Sequence, residues 1–202
     1  MYFFTSDIHL GDAISVAADG RKCPADGTSF KSDKQFAKYL IKIWNKQAKK
    51  GDTIFVIGDL FDCHNKTNPY FLKDLWFIKK INADIILVLG NNEEKIIKYF
   101  YHGDFEKFKQ VCLNSGIKDF VKNFYINICE QDFYLTHKPI DHHKDMLTLF
   151  GHSHRAMGVY KSFGFNIGCD LNHFRLYDEN DINTLLIAKQ EYWDIDKNLK
   201  LI

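Results

Sequence analysis

Seven side chains that can hold a cation or carry charge in a reaction recur at similar points of the chain: Asp7, His9, Asp59, Asn91, His137, His152 and His154. Each follows a short apolar run, in the junctions Ser6-Asp7-Ile8-His9, Gly58-Asp59-Leu60-Phe61-Asp62, Gly90-Asn91-Asn92-Glu93, Thr136-His137-Lys138-Pro139 and Gly151-His152-Ser153-His154. Five of the nine histidines fall between His137 and His154, a clustering that points to metal chemistry. Oxygen and imidazole donors without thiolates suit a divalent ion of intermediate hardness such as manganese, iron or zinc. Seven donors exceed what one four-coordinate zinc takes and suffice for two ions sharing a carboxylate. Asp59, in the middle junction, is the natural bridge. Residues two apart in an extended segment point the same way, so Asp7 with His9, and His152 with His154, should face one site. Asp62 is expected to orient a ligand, and Glu93 to be an acid favoured at a helix N-terminus.

The elements that must position these groups alternate first and then turn β-rich. Strands are expected over Tyr2–Ser6, Thr53–Ile57 and Asp84–Leu89, each ending at a junction above. Between them, a helix starts at Ser32 or Asp33 and stops before Gly51-Asp52. Its apolar face is Phe36, Leu40, Ile43 and Trp44, with Lys38, Lys42, Lys46 and Lys49 toward water. A second helix is expected from Pro69 to Ile81, and others over Glu93–Tyr101 and Asp104–Ser115, the last with Gly116 as its C-terminal cap. Phe124–Cys129 and Phe133–Thr136 read as a hairpin, followed by strands over Thr148–Phe150, Gly158–Tyr160 and Phe165–Ile167, a helix over Glu179–Ala188 and a short tail. Residues 10 to 32 hold Gly11, Gly20, Pro24 and Gly27 and read as a long loop. It is expected to overhang the site, and it carries the basic pair Arg21 and Lys22. The order predicts an α/β fold of two sheets packed between helices, and a single domain over 1–202.

Composition narrows the function. Lys plus Arg (27) nearly cancels Asp plus Glu (26), so binding driven by bulk phosphate neutralisation is not expected, and no basic groove is legible. Nucleic acid is therefore ranked low as a partner. No apolar run approaches the roughly 18 residues of a membrane span, and the N-terminus does not read as a signal peptide. The five cysteines form no CxxC pair, which favours a reducing, cytoplasmic setting over a disulfide framework. Cys63 and Cys169 read as small buried side chains. The oligomeric state is open at this level.

In this order, Asp7-x-His9, Gly58-Asp59-x-x-Asp62, Gly90-Asn91-x-Glu93, His137 and Gly151-His152-x-His154 resemble the calcineurin-like metallophosphoesterase superfamily over residues 2 to 170. The ending Asn166-Ile167-Gly168-Cys169-Asp170-Leu171-Asn172 resembles small bacterial and phage members. The resemblance implies a four-layer αββα sandwich of two mixed sheets and a dinuclear site, with manganese favoured and iron, zinc or nickel as alternatives. One ion would be held by Asp7, His9, Asp59 and His154, the other by Asp59, Asn91, His137 and His152. It further implies hydrolysis of a small phosphoester substrate by in-line attack of a metal-bound hydroxide, with Arg21 and Lys22 of the long loop as the candidates for a phosphate contact. One position departs from the pattern: Asn92 stands where phosphatase members have a histidine that protonates the leaving group. An amide donates hydrogen bonds but delivers no proton at neutral pH. Losing a general acid costs about 10²- to 10⁴-fold, most for poor leaving groups. Diesters are therefore favoured over alkyl monoesters. His64, His142 and His143 are candidates for a replacement acid. The alternatives are a phosphomonoesterase or protein phosphatase, a nucleotide or lipid-sugar pyrophosphohydrolase, a nuclease, and a metal-poor scaffold of the same fold.

Overall fold

The computed structural model describes residues 1–12, 21–64 and 66–193. Three apolar runs, β1 (Tyr2–Thr5), β2 (Thr53–Ile57) and β3 (Asp84–Val88), pair in parallel. Their register sets Thr5 beside Val56 and Val56 beside Leu87. The three strands therefore end level, and their junctions emerge side by side. Two short strands complete this sheet, β4 (Asp119–Val121) beside β3 and β10 (Tyr177–Asp178) antiparallel to β1. Neither is legible from a run of two or three residues.

The second sheet has the order β5-β6-β7-β9-β8, built from Phe124–Ile128, Gln131–Leu135, Leu147–Phe150, Gly164–Asn166 and Tyr160–Lys161. Its β6, β7 and β9 are parallel, while β5 and β8 run antiparallel at the edges. The two mixed sheets of five strands and their helices are the architecture expected. Phe4, Phe55, Ile57 and Val88 of the first sheet pack on Phe133, Leu135, Leu149 and Phe165 of the second, all buried. The other face of the first sheet carries α1 (Asp33–Gln47), α2 (Asn91–Phe100) and α3 (Phe105–Ser115). The last helix, α4 (Glu179–Ala188), inserts Ile182 and Leu186 at the edge of the inter-sheet core.

Local chemistry accounts for the helix ends. The Ser32 hydroxyl accepts from Gln35 N–H at 3.2 Å and Asp104 Oδ1 from Lys107 N–H at 3.1 Å, satisfying otherwise orphaned donors. Gly116 closes α3 at φ 106°, a left-handed conformation that a Cβ would oppose. Among the described residues, no helix is long and apolar enough to cross a membrane.

Two expectations are corrected. The helix from Pro69 to Ile81 is instead two 3-10 turns, Tyr70–Lys73 and Ile78–Lys80. Its backbone uses bonds three residues apart, such as Asp74 N to Phe71 O at 2.9 Å and Phe77 N to Asp74 O at 3.0 Å. That tighter winding seats Phe71, Phe77 and Ile78 in the core. The hairpin turns at Cys129-Glu130, one residue earlier than placed, with both residues left-handed at φ 50° and 66°. This is the backbone of a two-residue turn that matches the strand twist. The middle of the expected loop, 13–20, and the expected tail beyond 193 lie outside the described residues.

Candidate metal centre

Five of the seven donor residues sit in the left-handed region: Asp7 (φ 60°), His9 (53°), Asp59 (52°), His152 (71°) and His154 (46°). The pairs Asp7/His9 and His152/His154 thus reach a common site through consecutive tight turns, not through the extended alternation expected from their spacing. Such conformations cost about 1 kcal/mol or more each and persist where surroundings over-determine them. Here the first two turns brace each other: Asp7 N–H donates to Gly58 O at 3.2 Å and His9 N–H to Asp59 O at 2.9 Å. Gly90 is required by space, because a Cβ there would collide with the Asp59 backbone nitrogen and carboxylate.

All seven donors converge. His9 Nε2 lies 3.2 Å from His154 Nε2, 4.0 Å from Asp7 Oδ1 and 3.7 Å from Asp59 Oδ2. On the other side of Asp59, His137 Nε2 lies 3.5 Å from Asp59 Oδ1 and 3.0 Å from Asn91 Oδ1. His152 Nδ1 is 2.8 Å from the same Asn91 oxygen. Asp59 therefore stands between two groups of donors, one carboxylate oxygen toward each.

The chemistry of this set fits divalent cations. His137 Nδ1 faces Ile57 O at 2.8 Å, so that nitrogen carries the proton and Nε2 presents its lone pair to two oxygens. His154 Nδ1 likewise faces Asp170 Oδ2 at 3.0 Å, turning its Nε2 lone pair toward Asp7 and His9. Lone pairs meeting oxygens call for a positive charge among them. Without a cation that positive charge is a proton: burial alone would push His137 down, yet the hydrogen bond and charge of Asp59 hold it up at about 9, so that a proton on Nε2 stands where the ion would. Burial would raise Asp59, but His137, His9 and the Asn92 amide hold it below the usual carboxylate value. On His154 the hydrogen bond to Asp170 outweighs burial and raises the ring, whereas burial lowers His9 and His152.

Groups behind the donors fix them. Glu93, fully buried, accepts from Asp59 N–H at 2.8 Å, Phe61 N–H at 3.2 Å and Gly90 N–H at 3.1 Å. It clasps two junctions together as well as heading its helix, and burial with the Asp59 charge pushes it up to about 7. Asp7 carboxylate oxygens each receive the His152 N–H at 3.0 Å. Asp170 bridges His154 to Arg21, whose Nε lies 3.2 Å away. Arg21 is buried and donates to Ile8 O at 2.7 Å and Asp7 O at 2.8 Å. It braces the first junction from behind, which corrects its expected role as a phosphate contact. Asp170 and Glu93 are the support residues whose part sequence reasoning understated. The only signal for Asp170 was its place in the Gly168-Cys169-Asp170 ending.

Asn92 and Asp62 are placed differently from each other. Asn92 is buried among the donors: its backbone N–H meets Asp59 Oδ1 at 2.9 Å, and its amide nitrogen meets Asp59 Oδ2 at 3.1 Å and His9 Nδ1 at 3.0 Å. Its oxygen accepts from Lys95 Nζ at 3.1 Å. Asp62 points away from the seven donors, toward His64 Nε2 at 3.4 Å, which also lies 3.0 Å from Asp12. Asp12, Asp62 and His64 form a further convergent group, next to Asp33 and Asp74. His142 stacks on Phe163 and His143 packs against Tyr125 and Tyr134, on the second sheet.

The family profile of the calcineurin-like phosphoesterases matches residues 2–188. The chain belongs to this family. No curated protein matches it. Among solved structures, AQ665 from Aquifex aeolicus, described as a protein of unknown function, superposes with a TM-score of 0.61 at 18% identity, covering 92% of this chain and 98% of that one. It shares the fold. An archaeal phosphodiesterase gives a TM-score of 0.45 at 17% identity, with 84% of each chain covered. The Pseudomonas putida nuclease MPE gives 0.45 at 16%, covering 76% of this chain and 61% of that one.

Proposed function

We propose that this calcineurin-like phosphoesterase is a phosphodiesterase working with two divalent cations, manganese favoured. Asp7, His9, Asp59 and His154 would hold one and Asp59, Asn91, His137 and His152 the other. Bound there, the cations would supply Lewis-acid stabilisation of charge on phosphorus-bound oxygens and a nucleophile available at neutral pH. The residues do the positioning. Asp59 offers one oxygen to each group of donors, Glu93 and Asn92 fix its turn, and Asp170 and the Ile57 carbonyl hold two imidazoles with their lone pairs inward.

The observation that carries the diester preference is Asn92. Its amide nitrogen donates to Asp59 and its amide oxygen accepts from Lys95. It has no proton to give, so leaving groups that depart unaided are favoured. In manganese the protein should hydrolyse an aryl phosphodiester faster than the matching monoester, and Asp59→Asn should remove at least about 10³-fold of that activity. A monoester preference of roughly tenfold or more would overturn the reading.

A further inference from the structure

The Arg21-braced side of the site opens outward past His154. A cavity of about 430 Å³ lined by Ser153, His154, Arg155 and Asp170 adjoins a second of about 540 Å³, sharing Arg155 and Asp170 with it. Lys22, His173 and Arg175 line the second. Three separate segments bring these groups together. Lys22 lies on a tight hairpin bridged to Ser29 and closed by Cys23 N–H to Thr28 O at 2.8 Å. Arg155 sits in the 3-10 turn His154–Ala156, directly after His154. His173 and Phe174 are consecutive left-handed residues at φ 51° and 64°. Phe174 is driven inward, against Phe30 and Phe36, and its carbonyl receives Trp44 Nε1 at 3.1 Å. With Phe174 anchored, its flanking residues His173 and Arg175 are left exposed at the cavity.

Charge there does not cancel. Asp170 is already committed to His154 and Arg21. Lys22, Arg155 and Arg175 are exposed and make no ion pair among the described residues. A chain of net charge +1 thus gathers three unpaired cations around one cavity that continues to a proposed metal ligand. Guanidinium forks converging with an ammonium suit a phosphate, and the volume is that of a nucleotide-sized ligand.

We propose that this groove holds a second phosphate of the substrate, so that the diester cleaved carries at least one further phosphate on its arm past His154. The inference rests on the phosphodiesterase reading and names its substrate class: a terminally phosphorylated nucleotide diester or an oligonucleotide strand.

The test compares, in manganese, a dinucleotide with and without a 5′-phosphate and a single-stranded octamer. The wild type should show a KM about tenfold or more lower for the phosphorylated dinucleotide, the size of one or two charge-assisted hydrogen bonds. In Lys22→Ala/Arg155→Ala/Arg175→Ala the ratio of the two KM values should collapse toward one, and Arg155→Lys/Arg175→Lys should restore part of it. An octamer KM lower still, with a steeper salt dependence, would assign the groove to a strand; equality with the phosphorylated dinucleotide would assign it to a terminal phosphate. A wild-type ratio near one, or a ratio untouched by the triple variant, overturns the proposal. If neither dinucleotide is hydrolysed, the diesterase reading falls separately. Fluorescence anisotropy of the two labelled dinucleotides in manganese then decides the groove by the same ratio, read as Kd.

Discussion

Two neighbouring clusters of carboxylates treat the same functional group in opposite ways. In the histidine-rich cluster Asp59 and Asp170 are held below their ordinary values despite burial, because imidazoles, an amide and Arg21 face their oxygens. A few residues on, burial and mutual repulsion push Asp33 and Asp62 up, and Asp74 up to about 7. Donors make the difference. Every oxygen of Asp59 and Asp7 meets an N–H group, whereas Asp33 Oδ1 is buried with no hydrogen-bond partner and Asp62 Oδ1 has only His64 Nε2, at 3.4 Å, facing it. Burial of an acid therefore does not itself mark a functional centre; burial with converging donors does.

Removing the inner cluster's buried cation should break the contrast most severely. Arg21→Met leaves Asp170 buried without its guanidinium, and breaking a buried pair in this way costs about 3–5 kcal/mol. Urea unfolding should show a loss of unfolding free energy of that size, and a value within about 0.5 kcal/mol of wild type would mean the pair is not what steadies the first junction. Next in size is Asp170→Asn, which keeps the shape but weakens the hold on His154. Manganese affinity, followed by equilibrium dialysis, should fall about 10- to 100-fold, as for other groups behind metal ligands. Unchanged affinity would place His154 outside the metal set. The smallest effect lies in the outer cluster. Asp74 titrates near 3.8 when unfolded and about 7 when folded, so between those values the folded state binds more protons. Stability should accordingly fall as pH rises from about 4 to 7 and stay reduced above. Asp74→Asn should remove that slope and raise Tm at pH 8 by a few degrees, on the order of 1 kcal/mol after screening by solvent. A Tm unchanged at both pH 5 and pH 8 would show that the carboxylate is relieved by other means.

The same contrast explains what the sequence could disclose. Donor types, their order and their places after apolar runs are local patterns, and parallel pairing then does the rest by ending β1, β2 and β3 level. The helices over Asp33–Gln47 and Glu179–Ala188 were legible because a capping residue precedes a periodic run. What escaped depends on partners distant in the chain. Asp170 has meaning only beside His154 and Arg21, and the cationic cavity is assembled from residues 22, 155 and 175. A global charge near zero conceals such a local surplus. The 3-10 winding after Pro69 escaped for a similar reason, since core seats for Phe71 and Phe77 override a helical pattern.

The left-handed turns that carry Asp7, His9, Asp59, His152 and His154 impose a filter on substitution. Beyond glycine, the side chains that accept that backbone most readily are asparagine, aspartate and histidine. Those are also the side chains that bring oxygen or imidazole to a cation. Conformational tolerance and coordinating ability thus select the same short alphabet at these five places, so most single replacements would distort the loop and silence the ligand together.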